Sequence, residues 1–167
     1  MIIDQIFTSA VEYVMDLGYT DARFCWFECD QSKGVMGSFL AVFNLPPDKT
    51  GTTHVLEVRM GIGDAPAALC LTESRPHFIV TEKEGCWAES LPMCPYFPLT
   101  IEGAKERVAD AGYNINNDRV VLCHVMSTLV AQPAFYFSTD QGLAAAYVYT
   151  GEVKLVEPAE VSFYGEA

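Results

Sequence analysis

The chain has 167 residues, of which 50% are hydrophobic and 19% are charged, a composition typical of a folded globular protein. Its 22 acidic and 10 basic side chains give a net charge of −12 at pH 7. This charge argues against binding to nucleic acid or to an anionic membrane surface, because like charges repel. It either attracts a partner protein with a basic surface or only keeps an apolar-rich chain in solution. The length predicts a single compact domain over residues 1–167.

The N-terminal residues predict no secretion signal, because Met1-Ile2-Ile3-Asp4 lacks a basic start. No apolar run approaches the roughly 18 residues of a membrane-spanning helix. We therefore expect a cytoplasmic protein without a membrane partner, in which the six cysteines are reduced thiols.

The first predicted helix covers residues 2–17. Its apolar side chains recur at helical spacing from Ile3 to Leu17, and Gly18 is suited to the helix end. Turn residues then separate short runs of apolar and aromatic residues, which predict strands at 24–29, 36–43, 54–62, 67–72 and 77–81. Strict alternation predicts two faces for the first of these strands, with Phe24, Trp26 and Glu28 on one and Cys25, Phe27 and Cys29 on the other.

An irregular, proline-containing segment at 83–98 separates a first half, approximately 1–82, from a second half, 99–157. Thr100 is a suitable N-cap for a second helix at 101–111, which should end at Gly112. The apolar runs that follow predict strands at 120–126, 134–138, 143–149 and 152–156. The segment at 161–164 is either a further edge strand or part of a loose tail.

The two predicted helices end in related sequences. Residues 10–19 align with residues 104–113, and six of the ten positions are identical. Either the chain contains a duplication, which the shared order of elements favours, or two helix ends have converged on the same residue types. The fold prediction is α+β, with two pseudo-repeated α-β-β-β halves, antiparallel strands in one or two sheets, and both helices packed on one face.

The second half resembles the PepSY units, which are small modules of one helix and three strands. Two segments carry the resemblance, Leu99-Thr100-Ile101-Glu102 at the start of the helix and Tyr149-Thr150-Gly151-Glu152-Val153 at the last hairpin. The resemblance covers about 55 residues and implies a helix followed by an antiparallel sheet. It implies no function.

Acidic residues recur about one turn apart on both helices, so each helix should present a row of carboxylates. Such a row is either an ordinary solvated face or a docking surface for a basic partner. The candidate partner-binding residues are Asp4, Glu12 and Asp16 in the first helix and Glu102, Glu106 and Asp110 in the second.

Aromatic side chains provide a second kind of candidate site. A ligand pocket between the halves would use Trp26, Trp87, Tyr136 and Tyr147. Alternatively, aromatic residues on a sheet face that no helix covers would form a homodimer surface.

No catalytic or metal-binding motif is recognisable in the sequence, since it contains neither C-x-x-C, H-E-x-x-H nor G-x-S-x-G. We assign no catalytic residue, no metal ligand and no cofactor. The expected function is a non-catalytic acidic protein-binding factor, such as an inhibitor, an immunity or anti-defence protein, or a chaperone-like adaptor. The alternatives are a small-ligand-binding protein with an aromatic pocket and, third, a small enzyme that uses a cysteine or histidine.

Overall fold

The computed structural model describes residues 3–32, 35–60, 78–85, 91–92, 98–123 and 132–157. The first half contains helix α1 (Ile3–Asp16) and strands β1 (Arg23–Ser32), β2 (Val35–Asn44), β3 (His54–Met60), β4 (Phe78–Glu84) and β5 (Leu91–Pro92). The second half contains helix α2 (Ile101–Asp110) and strands β6 (Arg119–Cys123), β7 (Ala134–Thr139), β8 (Gly142–Tyr147) and β9 (Val153–Val156). The strands predicted at 67–72 and 161–164 lie outside the described residues.

The strands belong to one antiparallel sheet in the order β4-β3-β2-β1-β6-β7-β8-β9, and the short β5 pairs with the start of β1. The α+β class is therefore confirmed. Within the described residues, four strands of this order follow each helix, whereas the predicted α-β-β-β halves have three strands each. The first strand after α1 and the first strand after α2 pair with each other at the centre, with Glu28 opposite Val121.

One large cluster of buried residues includes side chains of both helices, and we call it the helix-side core. α1 contributes Phe7, Ala10, Val11 and Val14, and α2 contributes Ile101, Ala104 and Val108. These side chains pack on strand residues that include Phe24, Phe27, Phe43, Leu122, Phe135 and Phe137. The ring of Phe7 meets those of Phe24 and Phe27 edge-on, with centroids 5.1 and 5.0 Å apart, the arrangement that aromatic quadrupoles favour.

A second cluster of buried side chains occupies the opposite face of the sheet, and we call it the second-face cluster. Its members are Cys25, Trp26, Leu40, Val42, Val55, Val121, Cys123, Ala134, Tyr136, Ala145 and Tyr147. Trp26 is fully buried, and Tyr136 and Tyr147 are almost so. A strand that is apolar on both faces normally has cover on both sides, and β1 follows this rule.

The predicted alternation along β1 is wrong at its start, because a β-bulge interrupts the pairing with β2 between Phe24 and Trp26. A bulge adds one residue to a strand and resets which face the following side chains occupy. Cys25 and Trp26 consequently both join the second-face cluster, whereas Phe24, Phe27 and Cys29 lie in the helix-side core.

Two further details differ from the sequence prediction. Leu17, expected on the apolar face of the first helix, lies just beyond the helix end and is 48% exposed. Strand β5 lies within the segment at 83–98 that was predicted to be irregular, where Leu91 pairs with Phe24 and Pro92 with Arg23. Neither described helix has the length and apolar character needed to cross a membrane.

Candidate functional surfaces

The outer side of α1 carries two of the predicted partner-binding carboxylates. Glu12 and Asp16 are both exposed, one turn apart, while the neighbouring Val11 and Val14 are fully buried. Asp4 lies in the first turn of the same helix. Helical periodicity explains this division, since apolar positions spaced three and four residues apart face the sheet and the remaining positions face solvent.

Helix α2 repeats this arrangement. Ala104 and Val108 are fully buried, and Glu102, Glu106 and Asp110 are exposed. Thr100 caps the helix as predicted, because its hydroxyl oxygen accepts a hydrogen bond from the backbone N–H of Gly103 at 3.1 Å.

Basic side chains on α2 interrupt its acidic surface. Lys105 Nζ lies 3.5 Å from Oε1 of Glu102, so part of that carboxylate's charge is balanced within the helix. The guanidinium of Arg107 lies against Gly151 in the turn between β8 and β9, where an added Cβ would come within 3.1 Å of Arg107 Cζ. The Arg107 side chain therefore lies beside this turn rather than only projecting into solvent.

The ends of the two helices are built from the same hydrogen bonds. In α1 the N–H of Gly18 donates to the carbonyl of Met15 at 2.9 Å, and that of Tyr19 donates to Val14 at 3.2 Å. In α2 the N–H of Gly112 donates to Ala109 at 2.9 Å, and that of Tyr113 donates to Val108 at 3.2 Å. Both pairs form the Schellman arrangement, in which a glycine at positive φ ends the helix.

Three of the four predicted pocket residues lie together on the second face, and the fourth, Trp87, lies outside the described residues. Trp26, Cys123, Ala134 and Tyr147 are directly opposite one another on successive strands. Tyr136 occupies the neighbouring row, opposite Val121 and Ala145. All of these side chains are buried, so the structure brings the aromatic residues together as a packed layer.

Charged side chains border the second-face cluster. Glu57 in β3 is 4% exposed, and its Oε2 lies 2.9 Å from Lys83 Nζ and 3.4 Å from an Arg59 nitrogen. Near the centre of the sheet, Arg119 donates two hydrogen bonds to Oε2 of Glu28, at 2.7 and 3.0 Å. A buried carboxylate requires such partners, because removing its charge from water without compensation is costly.

Burial does not favour thiolate chemistry at the cysteines that the structure describes, of which Cys25 and Cys123 lie on the second face and Cys29 in the helix-side core. Cys25, Cys29 and Cys123 are all buried, and the Cys25 thiol donates to the carbonyl of Val42 at 3.2 Å. Burial raises the pKa of Cys123 to about 12. Burial, followed by the neighbouring Cys123 and Tyr147, also raises the pKa of Tyr136. Because a nucleophilic thiol needs a lowered pKa, Cys123 is a packing residue in this environment.

Some residues of interest were not singled out from the sequence. The buried carboxylate of Glu57 was missed, although its position between Val55 and Arg59 on one face of an alternating strand could have indicated it. Exposed apolar side chains were also missed beside the α1 carboxylates, at Tyr13, Met15 and Leu17. Within the described ranges, no group of three or more histidine, cysteine or acidic side chains is placed to hold a metal ion.

Comparisons of the chain with protein-family models, with curated proteins and with solved structures give no match. The resemblance of the second half to PepSY units therefore stays a prediction. Any functional inference depends on the surfaces described above.

Proposed function

We propose that this protein is a non-catalytic, acidic protein-binding factor that holds a basic partner through the exposed carboxylates of α1 and α2. One observation carries the proposal: Glu12, Asp16, Glu106 and Asp110 project outward from helices whose opposite sides are fully buried. Within the described part of the chain, these four carboxylates make no ion pair. They contribute charge to the surface.

The chemistry of such a surface suits a lysine- or arginine-bearing partner. A net charge of −12 extends the attraction of these carboxylates for a basic partner beyond direct contact. Each exposed ion pair is worth only ~0.2–1 kcal/mol. Several must therefore act together, and binding should weaken as salt screens the charges. A cytoplasmic inhibitor, immunity protein or chaperone-like adaptor would use a surface of this kind.

The proposal can be tested with decalysine as a basic probe. The variant Glu12→Gln, Asp16→Asn, Glu106→Gln and Asp110→Asn removes the four charges from the helices. A matched control removes four exposed charges elsewhere: Asp21→Asn, Glu84→Gln, Asp118→Asn and Glu157→Gln. Because both variants change the net charge equally, a difference between them reports the place of binding rather than total charge.

We expect the helix variant to bind decalysine at least about tenfold more weakly than the wild type, since a loss of ~1.4 kcal/mol corresponds to tenfold in affinity. The control should lose markedly less. The dissociation constant can be measured by fluorescence anisotropy at several salt concentrations. Equal losses in the two variants would show that the helices are not the binding surface, and the proposal would fail.

We also infer that the two halves arose by duplication and that both helices pack on the same face of the sheet. The matching hydrogen bonds at Gly18 and Gly112, the shared core roles of Ala10 and Ala104, and the symmetric strand order support this inference. Superposition of α1–β4 on α2–β9 in an experimental structure would test it. Strands that superpose with reversed faces would contradict a duplication.

A small-ligand-binding function is the second candidate, because Trp26, Tyr136 and Tyr147 share the second face. A homodimer through this aromatic face is a related proposal, and since these side chains are already buried in the single chain, dimerisation would have to replace their present cover. Binding of the apolar dye Nile red would test the ligand-binding function, and analytical ultracentrifugation would test the homodimer. Failure of Trp26→Phe to change dye binding would argue against a ligand at this face, and a monomer at all concentrations would exclude the dimer.

A further inference from the structure

The described sheet has two outer edges, and they differ in length. Within the described residues β4 pairs only with β3 and β9 pairs only with β8, so these two strands lie at the ends of the strand order. An edge strand presents backbone N–H and C=O groups that can pair with a further strand. Because β4 has seven residues and β9 has four, β4 offers the longer edge.

The pairing with β3 determines which backbone groups of β4 point outward. The N–H of Gly85 donates to the carbonyl of Thr53 at 2.9 Å, directly beyond the last residue pair of the two strands, His54 with Glu84. Hydrogen-bonded pairs alternate along an antiparallel ladder. Every second residue back from Gly85 therefore bonds to β3, and the residues between them direct their N–H and C=O groups away from β3. These outward residues are Phe78, Val80, Glu82 and Glu84.

The first part of this edge is apolar. Phe78 lies in the helix-side core, Val80 packs against it, and Ile79, which points to the opposite face, is 38% exposed. The ring of Tyr13, also 38% exposed, lies beside that of Phe78, with centroids 5.4 Å apart. An added strand with apolar side chains opposite Phe78 and Val80 would extend this apolar surface across the edge.

The second part of the edge is acidic. Glu82 and Glu84 are both exposed and lie on the same face, since they are two residues apart on a strand. Glu82 Oε1 lies 3.5 Å from Nδ1 of His54. Lys83 points to the opposite face, where its Nζ lies 2.9 Å from Oε2 of Glu57. An added strand with lysine or arginine opposite the two glutamates would form cross-strand pairs of opposite charge, which stabilise a sheet.

These side chains disfavour a second copy of the chain as the added strand. In an antiparallel pair of two β4 strands, the outward residues of one copy would face those of the other. Each glutamate would then lie opposite Phe78, Val80 or another glutamate, which places a carboxylate against an apolar side chain or against a like charge. The net charge of −12 on each copy adds to this repulsion.

We propose that β4 binds an extended segment of a partner protein as an additional antiparallel strand. The segment carries lysine or arginine at two alternate positions, which face Glu84 and Glu82, and then apolar residues at the next two alternate positions, which face Val80 and Phe78. Antiparallel addition continues the pairing between the strands of the described sheet. Backbone hydrogen bonds supply the affinity of such a complex, and the alternating side chains supply its specificity. This surface is distinct from the carboxylates of α1 and α2, so the inference goes beyond the proposed function.

The test uses the synthetic peptide Lys-Thr-Lys-Thr-Val-Thr-Val, whose lysines would face Glu84 and Glu82. In this register the first, third, fifth and seventh residues of the peptide direct their N–H groups at β4, and the others direct theirs at solvent. Methylation of the backbone nitrogens of the third and fifth residues removes two hydrogen bonds to β4. Methylation at the fourth and sixth residues is the matched control, because it adds the same two methyl groups on the solvent side.

Two variants of the full chain complete the test. Val80→Pro removes an outward N–H from β4 without removing a hydrogen bond to β3, and edge positions of this kind tolerate proline. Leu155→Pro is the matched control at the other edge. The N–H of Tyr147 donates to the carbonyl of Glu152 at 2.9 Å, so by the same alternation Leu155 points its N–H away from β8. Circular dichroism and thermal unfolding establish that each variant is folded.

We expect the peptide methylated at its third and fifth residues to bind the wild type at least about tenfold more weakly than the unmethylated peptide, because two hydrogen bonds are lost. The control peptide should bind within about twofold of the unmethylated one, since its hydrogen bonds to β4 remain. Val80→Pro should weaken binding of the unmethylated peptide, and Leu155→Pro should leave it unchanged. Fluorescence anisotropy of labelled peptide measures the dissociation constants, and amide chemical shifts in the complex should change along β4 and not along β9.

No binding of the unmethylated peptide, or equal losses for the two methylated peptides, would overturn the inference. Should Val80→Pro fail to fold, the methylated peptides decide the question with the wild-type chain alone. Concentration-dependent dimerisation that Val80→Pro abolishes would show that a second copy occupies the edge, and would also overturn the inference. Decalysine has no valine to face Phe78 and Val80, so none of these results decides the test of the helix carboxylates.

Discussion

Gly18 and Gly112 end their helices with nearly the same backbone geometry, with φ at 97° and 91°. In both cases the next residue is a tyrosine packed against the helix-side core. An added Cβ would meet no atom within 4 Å at either glycine, so space does not limit the residue type there. The left-handed backbone conformation limits the residue type instead, because L-residues other than asparagine rarely adopt it.

Gly18→Ala and Gly112→Ala should each destabilise the protein by ~1–2 kcal/mol, the cost of holding a side chain at positive φ. Gly18→Asn and Gly112→Asn should cost less, because asparagine tolerates this conformation. Urea unfolding followed by circular dichroism would measure the free energies. Equal costs for alanine and asparagine would show that backbone strain is not the cause.

Lys83 is expected to stabilise the fold through the buried carboxylate of Glu57. Lys83→Met would leave that carboxylate with weaker compensation and should cost ~1–3 kcal/mol, as for other buried groups that lose a partner. Lys154→Met is the matched control, since Lys154 is 57% exposed against 52% for Lys83 but pairs with an exposed carboxylate, that of Glu152. The control should cost less than about 0.5 kcal/mol. Equal losses in chemical denaturation would contradict the prediction.

Asp140 should titrate below its ordinary pKa, because its carboxylate accepts hydrogen bonds from both the backbone N–H and the side-chain amide of Asn114. Asp48 is a natural comparison, since hydrogen bonds from the side chain and backbone of Thr50, and then from Thr52, lower its pKa independently. Because the native pKa of each carboxyl is lowered, the hydrogen bonds to it stabilise the fold at pH values above the ordinary pKa of 3.8. This stabilisation is lost as the pH falls through the native pKa.

Carboxyl-carbon NMR titration would measure both groups in one experiment. Asn114→Ala should raise the pKa of Asp140, because only the side-chain hydrogen bond is removed, and should leave that of Asp48 where it was. A variant in which Asp140 titrates as before would show that the amide of Asn114 does not hold the carboxylate.

The sequence predicted the elements whose periodicity is unambiguous. The spacing of apolar residues placed α1 and α2 to within one or two residues at each end, and Thr100, Gly18 and Gly112 marked the boundaries correctly. The exposure of Glu12, Asp16, Glu106 and Asp110 follows from the same periodicity. Local spacing is sufficient for these features because helix faces are fixed by neighbours three and four residues away.

The bulge at Cys25 could not be predicted in this way, because nothing in Phe24-Cys25-Trp26-Phe27 distinguishes a bulged strand from a regular one. The bulge depends on the pairing with β2, which is a distant part of the chain. The ion pair of Glu57 likewise depends on Lys83 in β4, which pairs with Val55, two residue pairs along the ladder from the pair of Glu57 with Thr81. Both features affect which side chains lie on the second face, and both depend on contacts between distant parts of the chain.

The buried thiol of Cys123 predicts a loss of stability at alkaline pH. In the unfolded chain this thiol ionises near its ordinary pKa of 9.0, whereas in the native protein burial raises the pKa to about 12. Between these values the native state holds a proton that the unfolded state has released. The contribution of this thiol to the free energy of unfolding is therefore fully present below pH 9.0. It falls as the pH rises towards 12, by at most ~1.4 kcal/mol per pH unit.

Cys123→Ala removes this contribution, and Val121→Ala is the matched control, since Val121 lies on the same strand and in the same second-face cluster but does not titrate. Both substitutions leave a small cavity and should lower the stability at pH 8. From pH 9 to 10.5 the difference between wild type and Cys123→Ala should shrink by up to ~2 kcal/mol, because only the wild type has the buried thiol to lose. The difference between wild type and Val121→Ala should stay constant. Parallel pH profiles for all three proteins in urea unfolding would show that the Cys123 thiol ionises as freely in the folded chain as in the unfolded one.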